Sequence, residues 1–158
     1  DVETLIRGMA ALPDHTLVLL SRIADRRKSE LAALARKHGA KIQFENGVSE
    51  DQYHAWLCRS KALVTASRDA GFGIPVIEAM ERGTPVVMND LEIFREIGGE
   101  AGLRFAVKDH GGFANQVMQL SDPAIWERHS KLSLDQAKKF SWEASAKKLL
   151  DVCERLTA

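Results

Sequence analysis

The chain has 158 residues, 45% hydrophobic and 28% charged, the proportions of one globular domain able to bury a core of its own. Lys plus Arg (22) equals Asp plus Glu (22), which excludes the global positive field that draws nucleic acid or an anionic membrane surface. No run approaches the roughly 20 apolar residues that span a bilayer, and no repeat or low-complexity linker interrupts the sequence.

Val2, Leu5, Ile6 and Met9 recur at helical spacing and predict a helix over 2–11, with Pro13 as the stop. The apolar run HTLVLL (15–20) has strand length. Helical periodicity returns over 25–38 and ends at Gly39, a natural C-cap. AKIQFE (40–45) alternates like a strand. Ser49 and Gln52 form a capping box that starts a helix to about Arg59. ALVTAS (62–67) is a short strand, followed by a glycine-containing loop and a helix from Ile74 with Pro75 in its first turn. TPVVMN (84–89) is the next strand, Asp90 is placed to cap a short helix to Ile97, and GLRFAV (102–107) is the last strand. Residues 109–157 read as helical, in three pieces.

Cys58 and Cys153 fall in helical stretches without CxxC or Cys/His ligand spacing and are expected as buried thiols in a reducing compartment. The five histidines, at 15, 38, 54, 110 and 129, share no motif, so neither a metal site nor a catalytic triad is expected. Trp56, Trp126 and Trp142 lie in amphipathic helices and are expected to pack. The N-terminal DVETLIRGMAALPDH lacks the apolar centre of a signal peptide and has no initiator methionine, the expectation being a piece of a longer protein.

Strands that are apolar throughout, separated by helices, form the pattern of an α/β fold with a doubly wound parallel sheet and right-handed crossovers. Such sheets bind ligands beyond the carboxyl ends of their strands. The stretch SRDAGFGIPVIEAMERGTPVV (67–87) falls at that edge. Gly71 and Gly73 flank Phe72 just before a helix N-terminus, whose unsatisfied N–H groups and partial positive charge attract an anion that can approach backbone lacking Cβ. Glu78, about one turn in, is an acceptor for hydroxyl hydrogens such as those of a ribose. The same residues also suit a plain turn followed by a dipole-favoured glutamate, so spacing alone leaves both a nucleotide site and a structural turn open.

The segment GFGIPVIEAMERGTPVV closely resembles the donor-binding signature of the family 4 retaining glycosyltransferases, a large bacterial group with the two-domain GT-B architecture. VETLIRGMAALPD, IQFENGVSEDQYHAWLCRSKALVTAS, LEIFREIGGEAGLRF and FSWEASAKKLLDVCERL are similar to further segments of that family, in order and over nearly the whole chain. The resemblance implies that residues 1–158 form a Rossmann-like, nucleotide-sugar-binding domain, the C-terminal half of a GT-B fold. It implies retaining transfer of a sugar from a nucleoside-diphosphate donor substrate to the hydroxyl of a sugar or lipid-linked acceptor, in polysaccharide or glycolipid synthesis, with no metal or other cofactor. The acceptor would be held by an N-terminal domain absent from this chain. Also absent is the family's opening strand, expected just before Asp1 with the Gly-Arg and Lys that neutralise the diphosphate. The implied location is cytoplasmic, with peripheral association at the inner face of the membrane.

Roles follow for matching positions. Glu78 corresponds to the second of two motif glutamates and to the contact with the ribose. Gly71, Phe72, Gly73 and Ile74 match positions whose backbone approaches the donor sugar and diphosphate, and Asn46, Gly47, Val48 and Ser49 match the loop beside the base. The first motif glutamate would occupy position 70, where this chain has Ala70. Asp69, one residue earlier, is the candidate substitute, and Arg68 the candidate cation in the loop; these two are the catalytic candidates. Arg22, Arg26, Arg27 and Lys28 cluster where positive charge opposes the helix dipole, and a solvated surface is the favoured reading of them. Two rival functions stand beside the enzyme: a donor subunit of a split glycosyltransferase, and a catalytically degenerate nucleotide-binding or interaction module. The signature disfavours a third, a GT-B sugar-nucleotide epimerase.

Overall fold

A computed structural model describes residues 1–157. In chain order the elements are α1 (Val2–Met9), β1 (Leu17–Leu20), α2 (Asp25–His38), β2 (Ile42–Glu45), α3 (Glu50–Arg59), β3 (Leu63–Thr65), α4 (Ile74–Glu81), β4 (Val86–Asn89), α5 (Glu92–Gly98), β5 (Leu103–Phe105), α6 (His110–Gln119), α7 (Pro123–Ala137) and α8 (Trp142–Thr157).

Every strand pairing is parallel, as expected for the doubly wound α/β class. β4 shows why the strands are apolar throughout: all four of its residues are buried, with Val87 in one core cluster and Val86 and Met88 in the other. The first cluster joins Leu5, Ile6 and Met9 of α1, Leu31 of α2 and Phe113 and Val117 of α6; the second joins Leu57 of α3, Val76 and Met80 of α4 and Phe94 and Ile97 of α5. Alternate side chains of a strand point to opposite faces, so helices on both sides of the sheet demand an apolar residue at every position.

The sheet comes in two pieces, β1-β2 and β3-β4-β5. Between β1 and β3 lies a slot of about 400 Å³, lined by Leu17, Leu19, Leu63 and Val64 from the two strands and closed by Leu5 and Phe113. Asp1 stands at the carboxyl edge of this sheet: it caps α1 by accepting from the Thr4 N–H, and Arg68, from the loop after β3, reaches its carboxylate at 3.1 Å.

Local signals set several boundaries. α2 ends at His38 because Gly39 takes the left-handed conformation (φ 68°), and α3 begins with the Ser49–Gln52 capping box. Elsewhere the structure corrects the sequence reading. α1 stops at Met9, and the strands are shorter than their apolar runs because they end where the ladder ends. Asp90 does not cap α5; Leu91 occupies the N-cap, while two hydrogen bonds from Arg95, at 2.6 and 2.7 Å, pull the Asp90 carboxylate aside. Cys58 and Cys153 are exposed, since α3 buries the face carrying Leu57 and α8 lies with its face open. Trp142 is 80% exposed rather than packed. Trp56 and Trp126 are half-buried, the first against the Arg59 guanidinium and the second donating its indole N–H to the Lys61 carbonyl at 2.9 Å.

Candidate functional site

The loop from β3 to α4 leaves the carboxyl edge of the sheet. Buried Asn89, at the end of β4, fixes its start by donating to the Ser67 carbonyl at 2.5 Å. From there to the helix, the amides of Gly71, Phe72, Gly73 and Ile74 donate to no protein acceptor among the described residues. Pro75 has no N–H, and Val76 turns back to the Gly73 carbonyl. A short row of unsatisfied donors therefore stands at the positive end of α4.

The two glycines differ. Gly73 is the N-cap of α4 at φ 93°, and a Cβ there would meet Ile97 Cδ1 at 2.8 Å and Phe94 Cε1 at 3.1 Å. It is glycine for the fold itself, to let α4 settle on α5. Gly71 has nothing within 4 Å of where its Cβ would stand, so its bare backbone faces open space. Phe72 and Ile74 are each 45% exposed, and Phe72 sets its ring edge-on to Phe140 at 6.2 Å.

Glu78 is half-buried on α4 between buried Ile77 and Ala79. It lines one cavity of about 250 Å³ together with Phe72 and Ile74 of the loop and Phe140, Ser141 and Trp142 from the α7–α8 connection. Its carboxylate accepts from the Tyr53 hydroxyl at 2.7 Å, and its main-chain carbonyl accepts from Arg82 at 2.7 Å. Burial first, and then the Glu78 carboxylate, push the Tyr53 phenol well above its ordinary range, so it remains a donor at neutral pH.

The remaining expected residues divide. Asp69 is exposed and has no partner among the described residues, whereas half-buried Ala70 packs on the second core cluster. Arg68 is held by Asp1. In the loop between β2 and α3, Asn46 accepts from the Ile23 N–H at 3.4 Å and Ser49 is committed to the capping box, which leaves mainly backbone and half-buried Val48 for a ligand. Of the basic cluster at the start of α2, Arg26 pairs with Glu30, Arg27 with Glu3 and Glu30, and Lys28 lies over the Phe44 ring. Arg26 and Arg27 are exposed, while Lys28 is half-buried.

Sequence reasoning missed Tyr53 and Asn89. Their contacts reach across 25 and 22 residues, and the available signals were faint: a single tyrosine, set in a short helix, and an amide at the end of an apolar strand.

The family described as Glycosyl transferases group 1 matches residues 1–122. The chain belongs to that family. The group 1 assignment is supported by likeness to the O-antigen chain mannosyltransferase B of Escherichia coli, 36% identical over 103 residues, which are 65% of this chain and 27% of the relative. The GDP-mannose:cellobiosyl-diphosphopolyprenol alpha-mannosyltransferase of Xanthomonas oryzae pv. oryzae is 31% identical over 106 residues, 64% of this chain and 28% of that protein. Among solved structures, Anabaena Alr3699/HepE in complex with UDP and glucose superposes with a TM-score of 0.84 at 17% identity, over 96% of this chain and 44% of that one. That likeness places the chain in the Rossmann-like, C-terminal part of a GT-B fold. The chain spans only 13% to 30% of the length of the curated relatives it matches. No helix among the described residues is long and apolar enough to cross a membrane.

Proposed function

We propose that this group 1 glycosyltransferase domain binds a nucleoside-diphosphate sugar at the carboxyl edge of its sheet and presents it for retaining transfer to an acceptor hydroxyl in polysaccharide or glycolipid synthesis. One observation carries the reading: the unpartnered amides of Gly71 to Ile74 and the carboxylate of Glu78 belong to one loop-and-helix unit, with Phe72, Ile74 and Glu78 lining the same cavity. The amides suit the diphosphate, Glu78 suits the ribose hydroxyls, and the backbone of residues 46–49 suits the base. The relative named for GDP-mannose and the neighbour solved with UDP support a nucleotide donor without choosing its base.

In the reaction the bond from the sugar carbon to the diphosphate oxygen breaks, a bond from that carbon to the acceptor oxygen forms, and the nucleoside diphosphate leaves, taking up the proton of the acceptor hydroxyl. The site contributes donors already aimed at the leaving charge, which cost no reorganisation when the charge develops. Asp69, exposed and unpartnered, is the carboxylate available to the transferred sugar in place of the residue missing at Ala70. Arg68 reaches the diphosphate once Asp1 releases it.

The acceptor-binding half lies outside this domain in the proposed enzyme. The slot between β1 and β3 suits one further parallel strand ending near Asp1, which a right-handed crossover through α1 would join to β1. The degenerate-module reading keeps one specific observation in its favour, a half-buried alanine, Ala70, where the first motif carboxylate is expected.

A thermal-shift screen of nucleoside diphosphates tests the proposal. A ligand at about 100 times its dissociation constant stabilises the fold by about 2.7 kcal/mol. No shift with any of them, on folded protein, favours the interaction module.

A further inference from the structure

We propose that Tyr53 is a positioning residue that holds the Glu78 carboxylate in the one orientation a ribose can use, an inference that rests on the nucleotide reading above. Tyr53 Oη, on α3, donates to Glu78 Oε2, on α4, at 2.7 Å. Among the described residues this is the only side-chain partner of the carboxylate, which joins no ion pair. Arg82 fixes the other end of the same residue through its main-chain carbonyl.

The Tyr53 ring packs against the core cluster of Val76, Met80 and Phe94, so its hydroxyl is delivered from a rigid body rather than from a mobile surface chain. A glutamate with three rotatable bonds otherwise samples several rotamers, and ordering it would weaken binding. The phenol occupies part of one carboxylate oxygen and leaves Oε1, with the remaining lone pair of Oε2, for two vicinal hydroxyls. A neutral donor also leaves the carboxylate charge intact, where Lys or Arg would neutralise it. The raised phenol pKa keeps that donor protonated.

Tyr53→Phe retains the ring and removes the donor. The experiment compares binding of UDP and GDP with binding of their 2′,3′-dideoxy forms by isothermal titration calorimetry, in the protein carrying this chain, with thermal melting as a check on folding. The expected result is about tenfold weaker binding of the ribonucleotide by Tyr53→Phe, with affinity for the dideoxy form unchanged and melting preserved. An equal loss for both nucleotides, or no loss, overturns the positioning role while leaving the nucleotide site in place. Wild-type protein that binds neither UDP nor GDP overturns the nucleotide reading, and this inference with it.

Discussion

Asn89 and Ser67 are joined across the carboxyl edge of the sheet, the buried Asn89 amide donating to the Ser67 carbonyl at 2.5 Å. The bond ties the end of β4 to Ser67, near the start of the loop that leads to α4, so a main-chain feature of the site depends on a side chain of the core. Asn89→Ala removes the donor, leaves the Ser67 carbonyl without its partner and opens a small void. A loss of about 1–3 kcal/mol in urea denaturation is expected. A change under about 0.5 kcal/mol would show that the loop is held some other way.

Gly71 and Gly73 separate binding from folding. Gly73→Ala forces a Cβ against Ile97 and Phe94 at a backbone angle that L-residues rarely adopt, and is expected to destabilise by about 2 kcal/mol or more. Gly71→Ala meets nothing within 4 Å and is expected to change stability by less than about 0.5 kcal/mol, while weakening nucleoside-diphosphate binding because the methyl intrudes on the backbone approach. Chemical denaturation and calorimetry on the two variants check this. Equal stabilities, or undiminished binding by Gly71→Ala, would contradict it.

The contrast between these glycines marks what the sequence could reveal. Features written in neighbouring residues were legible: Gly39 ends α2, Ser49 and Gln52 start α3, and apolar runs separated by helices announce a parallel sheet. The resemblance of residues 71–87 located the loop and Glu78. Features decided by tertiary partners were not legible. Asp90 has a cap residue's chemistry, but Arg95 and Arg104 outcompete the helix end for it. Cys58 has a buried residue's chemistry, but Leu57 beside it takes the inward direction. Whether Gly73 serves a ligand or a neighbouring helix could be decided only with Phe94 and Ile97 in view.

Asp90 contributes to the acid limb of stability, alongside Glu3 and Asp135, whose carboxyls Arg27 and Lys138 also hold low. Its hydrogen bonds from Arg95, with Arg104 nearby, hold its carboxyl below the usual range. A depressed native pKa contributes stability that is present above the unfolded value, near 3.9, and is lost as pH falls through the native value. Asp90→Asn is therefore expected to melt below wild type at pH 7, with the gap closing as pH is lowered toward 2.5. A gap that persists in acid would assign the effect to packing instead.

Position 70 distinguishes an active variant from a degenerate one. With the acceptor-binding part present, Ala70→Glu is expected to raise sugar transfer by about tenfold or more, since a carboxylate there would meet the transferred sugar. Equal turnover in the two proteins, both folded, would remove Ala70 as the cause of any deficit.

The most direct measurement is calorimetric titration of the chain with UDP and GDP, wild type against Glu78→Ala, the variant's fold verified by its melting curve. Saturable binding to the wild type is expected, weakened about 10- to 150-fold in the variant, the equivalent of roughly 1.5–3 kcal/mol for hydrogen bonds to a charged group. Identical affinity in the two proteins would contradict that expectation.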